Sequence, residues 1–423
     1  MKSLTEIYRQ GMGPMSSLNL VPYRACLETA QEIHMKRLKL SHVEVILYNE
    51  YARLKDQAGI LTDIEYAFAY SNFKYVVTSD KPTPENLKDE PYVFDIVVYD
   101  KPNSPLFRHR VVATGAGNFT VSGHKKAERI PYSTFEEVRK WFKDNPGKSY
   151  LDFANLGDDR DELKALYYRG VSFAEIACLQ GIRKHGELEL GDKNIHYMRQ
   201  ARNIWLHDEN FLSPTENANR MISAFAYAIS EEILEKRVIV AAPTLCTSSV
   251  IWSIILYLHN AYDVNSKKMI NAFCAAGIFA SLVDCKASLE PSVVGCQGPM
   301  GVACGMAAVI VAVVLYNADI EECGRVFEMA LEHSLGIICD ALTGLPIIPC
   351  VQRCAAFATR AFELAVLNHS LMKTPELCKV DDLIQVLMET GSDLIPKNRR
   401  LGMGGFADHA KYSLEKPTEK DFK

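Results

Sequence analysis

Hydrophobic and polar residues follow different patterns in the two halves of the chain. In the first 150 residues, several short runs rich in β-branched and aromatic residues either alternate with polar residues or are continuously apolar, as β-strands do. These runs lie at 42–48, 92–99 and 109–114. Helical spacing lies between them, at 25–38 and 135–144, and a breaker sequence follows at 144–147. We therefore predict a small α+β domain over residues 1–150.

From residue 151 onward the pattern is helical, with apolar residues recurring every three or four positions. The helical segments lie at 158–166, 172–183, 194–206, 214–235, 248–261, 267–284, 303–316, 320–334, 351–369 and 380–389. A strand-like run at 238–242 is the main exception. The predicted fold class is α+β: the small N-terminal domain is followed by a large all-α catalytic domain over residues 151–423.

One segment resembles a membrane span, because residues 291–317 carry no charge and residues 307–316 are densely apolar. The first half of the segment is rich in Gly and Pro, so the apolar helical run is far shorter than the roughly 20 residues that a bilayer requires. A helix that is apolar on all sides is typical of the centre of a large helical domain. We expect a buried helix and no membrane partner.

Composition narrows the class of protein. The chain has 423 residues, 48% hydrophobic and 23% charged, with a net charge of −5, so nothing favours a nucleic-acid partner. Charged residues are spread through the first thirty positions without the apolar run of a signal peptide. We expect a cytoplasmic protein.

The cysteines are concentrated in one part of the chain, which raises the question of a metal site. Ten of the 12 cysteines fall between residues 246 and 378. Three of them, Cys296, Cys339 and Cys350, lie in junctions rich in Gly and Pro, where loops can converge sulfur atoms on a metal. No C-x-x-C motif is present, so the spacing matches neither a zinc finger nor a ferredoxin. The residues alone leave two alternatives open, a metal site and buried thiols.

The motifs around these cysteines resemble a known family. Residues 294–304 read VGCQGPMGVAC, residues 332–336 read EHSLG, and Cys339-Asp340 is followed at 349–353 by PCVQR. Residues 238–244 (VIVAAPT) and 11–17 (GMGPMSS) match two further motifs. In this order they resemble the iron–sulfur L-serine dehydratase (L-serine ammonia-lyase) family.

The resemblance implies a [4Fe-4S] cluster held by Cys296, Cys339 and Cys350, with the fourth iron open to substrate. In the family that iron acts as a Lewis acid on the β-hydroxyl of serine, a base removes the α-proton, and pyruvate and ammonia result. It also implies a homodimer, a small-molecule substrate and no pyridoxal phosphate.

Other matched or neighbouring polar residues are candidates for the catalytic site. They are His333, Ser16, Ser17, Asn19, Thr62, Asp63, Lys286 and Arg353. Several have simpler alternatives: His333 could be a packed core histidine, Lys286 a solvated helix end, and Arg353 half of a structural ion pair. Cys246 and Cys354 lie beside matched motifs and could ligate or react, but we interpret them as buried thiols.

At several positions the chain departs from the family motifs, and in each case an apolar residue replaces a polar one. The replacements are Leu18, Ile60, Leu61, Leu245, Val293 and Pro299. A pocket for serine needs paired donors and acceptors, so these losses predict that the serine pocket is not kept, and that the substrate is a small hydroxy amino acid or a related compound other than serine itself. Two alternatives stay open: a desulfidase acting on a cysteine-like or thiolated substrate, and a non-catalytic relative that keeps the cluster. The sequence identifies neither the base nor the fourth iron ligand, nor whether the N-terminal domain binds an effector.

Overall fold

The computed structural model describes residues 1–56, 58–88, 90–121, 130–190, 196–207, 213–342, 345–371, 379–399 and 404–409. These residues form two compact units. The smaller unit contains residues 11–121, and the larger contains residues 1–10, 130–189 and the described residues from 196 onward. Residues 1–10 and 130–150 therefore pack with the helical unit, while the division of functional domains at residue 150 stays a prediction.

The described part of the chain contains seven strands, which are numbered in chain order. They are β1 Arg9–Gly11, β2 His42–Leu47, β3 Tyr75–Thr78, β4 Val93–Lys101, β5 Ser104–Gly115, β6 Asn118–Val121 and β7 Ile239–Ala241. Strands β2 to β6 form one sheet in the order β3-β2-β4-β5-β6, in which β2 and β3 are parallel and the other neighbours antiparallel. Strands β1 and β7 pair separately.

The helices are numbered in the same way. They are α1 Val21–Met35, α2 Asn49–Leu54, α3 Ile60–Phe68, α4 Phe135–Asp144, α5 Tyr150–Ala154, α6 Arg160–Arg183, α7 Ala201–Trp205, α8 Pro214–Leu234, α9 Ser248–Ala261, α10 Ser266–Lys286, α11 Pro291–Val294, α12 Gln297–Tyr316, α13 Ile320–Glu332, α14 Cys350–Ser370, α15 Val380–Asp393 and α16 Phe406–His409. A π-helical turn at Ser16–Leu20 precedes α1. The small sheet-containing unit and the large helical unit confirm the predicted α+β class.

The sheet of the smaller unit has two different faces because side chains alternate along each strand. Val45 of β2 lies opposite Val77 of β3 and Ile96 of β4. The apolar side chains on this face pack with α1 and α3 in one core. On the opposite face Ile46 and Val97 belong to a second, smaller core. One face of the sheet is thus covered by helices, as the alternation predicts.

Helix α12 is the centre of the larger unit and packs against α9, α10, α13 and α14. Both α10 and α12 are long and apolar enough to cross a bilayer by composition alone, but 78% and 94% of their most apolar windows are buried in the fold. The buried helix predicted at 303–316 is confirmed, and it begins earlier than predicted, at Gln297. An internal glycine allows the close packing: a Cβ on Gly305 would lie 2.5 Å from Cδ2 of Phe327 in α13.

Two helix predictions are corrected by the structure. The segments predicted at 158–166 and 172–183 form one continuous helix, α6, since Gly170 faces the Trp252 ring without breaking the helix. The helix predicted at 194–206 is shorter. Residues 194–195 lie outside the described residues, Met198 forms a β-bridge with Glu187, and only α7 is helical. The predicted strand at 238–242 is present as β7.

Candidate functional site

Cys296, Cys339 and Cys350 come from separate places in the larger unit. Cys296 is the residue immediately before α12, and Cys350 is the first residue of α14, which packs on α12. Cys339 lies in the connection between α13 and α14. All three are buried, and the Cys339 thiol is hydrogen-bonded to the Cys296 sulfur. Cys296 and Cys350 therefore lie at helix N-termini, where the helix dipole favours the thiolate form of a cysteine.

Gly295 shapes the chain before Cys296. Its φ of +69° is in the left-handed region, and a Cβ there would lie 2.8 Å from the carbonyl oxygen of Ile337. The Ile337 carbonyl oxygen also accepts a hydrogen bond of 3.1 Å from the backbone N–H of Gln297. A glycine at this position thus lets the start of α12 approach the segment that leads to Cys339.

The Gln297 side chain ties three segments together and is fully buried. Its Oε1 accepts from the N–H of Gly336 at 2.7 Å, and its Nε2 donates to the carbonyl of Leu387 at 3.1 Å. The amide also hydrogen-bonds the Thr390 hydroxyl of α15. Sequence reasoning did not select Gln297 as a site residue, although it directly follows Cys296. Its position fixes the start of α12 against the 336–339 segment.

An ion pair holds the Cys339 side of the site. Arg353, one helical turn after Cys350, donates to Asp340 Oδ1 at 2.9 Å and to the Ile338 carbonyl at 3.2 Å. The N–H of Cys339 donates to the Asn398 carbonyl at 2.8 Å. Asp340 is 4% exposed, so the carboxylate is shielded from water. Arg353 is thus brought to the thiols, with its guanidinium engaged in holding this loop.

The three thiols differ in acidity. The pKa of Cys296 is lowered, first by the hydrogen bond from Cys339 and, against the effect of burial, by the charge of Arg353. The pKa of Cys339 is raised chiefly because its thiol makes that hydrogen bond with Cys296, and the pKa of Cys350 is raised chiefly by burial. One thiolate forms readily, whereas three together require a positive partner such as a metal centre.

The chemistry of the three side chains is that of iron–sulfur ligands, which are cysteine thiolates. Over the residues that the structure describes, no three His, Cys, Asp or Glu side chains converge closely enough to hold one metal ion. In an iron–sulfur cluster each thiolate binds a different iron, so the ligand sulfurs stay farther apart than around one ion. Three buried thiols, two of them at helix N-termini, are the soft ligands that such a cluster takes.

Two further thiols lie beside these three. Cys354 donates a hydrogen bond of 3.1 Å to the carbonyl of Cys246, and the hydroxyls of Ser249 and Ser230 hydrogen-bond the Cys354 sulfur. Charge on Cys246 interacts with charge on Cys296. The sequence interpretation of both residues as buried thiols captures the burial of Cys354, but their position next to the site follows only from the packing of α9 on α14.

The remaining sequence candidates of the larger unit lie at helix ends. His333 caps the C-terminus of α13 and is exposed, and its ring faces Glu332 with 3.5 Å between Nε2 and Oε2. The packed-core alternative for His333 is therefore wrong. Lys286 is the last residue of α10 and is exposed. Their catalytic roles stay predictions.

In the smaller unit the structure brings Asn19 and Asp63 together. Asn19 Nδ2 donates to Asp63 Oδ2 at 2.5 Å and to the Ala58 carbonyl at 2.8 Å. Ser16 and Ser17 are buried in the same π-helical turn, and Thr62 is half-buried on α3. Both Asn19 and Asp63 are fully buried. The pair anchors α3 to the turn, and the catalytic roles of these residues stay predictions.

The apolar replacements fall into two groups. Leu61 and Val293 are each 38% exposed. The others are buried: Leu18, Ile60, Leu245 and Pro299. Buried replacements contribute to packing, so they are part of the fold as well as of any altered pocket.

Comparison with known proteins supports the same family that the cysteine motifs resemble. Residues 161–407, which include the three cysteines, match the family of the serine dehydratase alpha chain. The chain is 26% identical to the L-serine dehydratase TdcG of Escherichia coli, over 96% of this chain and 99% of that protein. It is 25% identical to the L-serine dehydratase of Haemophilus influenzae over the same shares. An L-serine dehydratase of Helicobacter pylori is 35% identical over 44% of this chain and 41% of its own length.

Proposed function

The chain belongs to the serine dehydratase alpha chain family, and on this premise we propose that it is an iron–sulfur lyase whose [4Fe-4S] cluster is held by Cys296, Cys339 and Cys350. That it is an enzyme, a lyase of the serine ammonia-lyase type, follows from relatives matched over nearly the whole chain. The observation that carries the proposal is a set of three buried thiols: Cys296 and Cys350 lie at the starts of the packed helices α12 and α14, and Cys339 lies in the α13–α14 connection with its thiol hydrogen-bonded to Cys296.

Each of the three proposed ligands is positioned by different neighbouring residues. Cys296 is set by Gly295 and Gln297, and Cys350 by the first turn of α14. The Arg353–Asp340 pair and the Asn398 carbonyl hold the loop of Cys339. When bound, the cluster would supply a Lewis-acidic iron for the leaving group of a β-elimination.

The proposed substrate is a small hydroxy amino acid or a related compound that loses water and ammonia. Arg353 engages Asp340 with one guanidinium nitrogen, so its role is to position Cys339 and to place positive charge near the thiolates. We propose Asp63, Thr62, Ser16, Ser17, Asn19, His333 and Lys286 as residues to test for substrate binding and proton transfer. A homodimer, a cytoplasmic location and the absence of pyridoxal phosphate also stay predictions.

Metal analysis of anaerobically purified protein tests the ligand set. We expect about four iron and four sulfide per chain in the wild type, and loss of iron in C350A. Cys285→Ser is the matched control, because Cys285 is exposed at the end of α10. Zinc, or equal iron in C350A and wild type, would contradict the proposal.

Product analysis then tests the reaction. Release of ammonia and a keto acid from L-serine or a related hydroxy amino acid would support the dehydratase. Release of sulfide from a cysteine-like substrate in its place would favour the desulfidase. A fully loaded protein inert toward both classes would favour the non-catalytic relative.

A further inference from the structure

The segment that follows α15 packs against two of the three proposed ligand segments. A Cβ on Gly295, the residue before Cys296, would lie 2.6 Å from Cδ1 of Leu394. The carbonyl of Asn398 accepts a hydrogen bond of 2.8 Å from the backbone N–H of Cys339. This segment therefore contacts the chain both immediately before Cys296 and at Cys339.

Arg399 directly follows the contact with Cys339, and its guanidinium reaches the segment that leads into Cys296. Its Nη1 donates a hydrogen bond of 3.1 Å to the carbonyl of Val293, three residues before Cys296. Its Nε is shielded from solvent, while the side chain as a whole is half-buried. The backbone of Arg399 is thus fixed beside one proposed ligand, and its guanidinium lies beside the residues that lead into another.

The guanidinium of Arg399 still has hydrogen-bond donors to offer. Arginine carries five N–H donors in a planar fork, and the Val293 carbonyl takes one of them. Among the residues that the structure describes, no Asp or Glu forms an ion pair with Arg399. Arg353, by contrast, donates to Asp340 Oδ1 at 2.9 Å, so its charge is balanced within the chain. Of these two arginines, Arg399 is the one that can take an anionic ligand.

We propose that Arg399 binds the carboxylate of the substrate, so that the substrate class is an acid whose free carboxylate adjoins the carbon that loses its proton. The inference rests on the proposed function and adds a specificity-determining residue to it. Two parallel N–H bonds from a guanidinium hold a carboxylate in one orientation. Such an anchor at Arg399 fixes the substrate next to the chain segments that carry Cys296 and Cys339, where correct orientation contributes to the rate.

A purely structural role for Arg399 makes a different prediction. The Val293 carbonyl lies at the end of the four-residue helix α11, where a cationic side chain is favourable. Loss of that contact alone would lower stability, and it would affect the binding of an acid and of its uncharged amide equally. The preference for acid over amide therefore separates a carboxylate-binding role from a structural one.

Isothermal titration calorimetry of anaerobically loaded protein measures this preference. The probes are L-alanine and L-2-aminobutyrate, each compared with its amide, because none of them has a β leaving group that could be eliminated. Wild type should bind each acid more tightly than its amide. R399Q should weaken the binding of both acids by about tenfold or more and leave the binding of the amides unchanged.

Arg360→Gln is the matched control. Arg360 is half-buried on α14, forms no ion pair with the described residues, and lies about 15 Å along that helix from Cys350. We expect R360Q to bind acids and amides as the wild type does. Iron and sulfide are counted in every sample, so that a change in binding is not confused with a change in loading.

The outcomes separate this inference from the proposed function. Equal binding of the acids by fully loaded R399Q and wild type would overturn the role of Arg399, as would a loaded wild type that binds neither acid better than its amide. Equal losses for acid and amide in R399Q would assign Arg399 a structural role and overturn the inference. All three outcomes leave the three-cysteine cluster intact, whereas a wild type that loads no iron would overturn the proposed function.

A second variant keeps the inference testable if R399Q fails to fold by circular dichroism or to load iron. Arg399→Lys retains the positive charge but loses the planar fork. The binding of the acids should then weaken severalfold while the binding of the amides stays at the wild-type level. Acid binding by R399K as tight as that of the wild type would contradict a two-bond contact with the carboxylate.

Discussion

Replacing Gln297 by methionine removes the amide that joins α12 to its neighbours while keeping a similar side-chain volume. The amide accepts from Gly336, donates to the Leu387 carbonyl and hydrogen-bonds Thr390. Each such bond contributes about 0.5–1.5 kcal/mol net, so Q297M should lower the free energy of unfolding by about 2–4 kcal/mol. Because Gly336 precedes Cys339 in the same segment, we also expect Q297M to retain less iron than wild type.

Urea unfolding followed by circular dichroism measures the stability change. Gln385→Met is a matched control, because Gln385 is exposed on α15 and hydrogen-bonds only its neighbour Glu389 among the contacts seen for its side chain in the described part of the chain. The control should change the free energy of unfolding by less than about 0.5 kcal/mol. If Q297M behaved like Q385M, the buried amide would not be what anchors α12, and the reasoning for the start of that helix would be refuted.

Three further changes test the packing and charge of the larger unit. Gly305→Ala places a Cβ 2.5 Å from Phe327, so overpacking should cost about 1–3 kcal/mol and lower Tm in a thermal scan; an unchanged Tm would contradict the close helix approach. Burial lowers the pKa of His259 below 6.5, so as pH falls the unfolded state takes up a proton before the folded state does, and the free energy of unfolding decreases below pH 6.5. H259Q should weaken that decrease in urea unfolding, and an unchanged dependence on pH would refute the role of His259. Burial raises the pKa of Glu231 from 4.5 to about 7, so stability falls as pH rises between these values; E231Q should remove the decline, and a decline that persists would refute it.

The sequence predicts elements best where packing and local pattern agree. Strands β2 and β4 are largely buried between two apolar cores, and their runs of β-branched residues predict them. Strand β3 has only four residues, none of them fully buried, so its sequence pattern predicts a strand only weakly. The same limit applies to α7, where tertiary contacts shorten a helix that spacing alone extends.

The site was predictable in part for a comparable reason. Three cysteine motifs and their resemblance to a family identify the proposed ligands without geometry. The relation of Cys246 to Cys354 joins residues 108 positions apart and depends on how α9 packs on α14. Gln297 lies within a motif, but two of its three partners, Leu387 and Thr390, lie on α15 and are brought to it only by packing. Long-range contacts therefore account for what sequence reasoning missed.

The buried replacements also bear on substrate choice. Leu245 is fully buried directly before Cys246, and Ile60 is fully buried at the start of α3. Restoring a polar group at either position would bury an amide or imidazole that needs partners, at a cost of about 1–3 kcal/mol without them. Val293, at 38% exposure, can accept a polar side chain at far smaller cost because water can hydrate it. Rebuilding a serine-type pocket at these buried positions therefore requires hydrogen-bond partners for the restored polar group as well as the group itself.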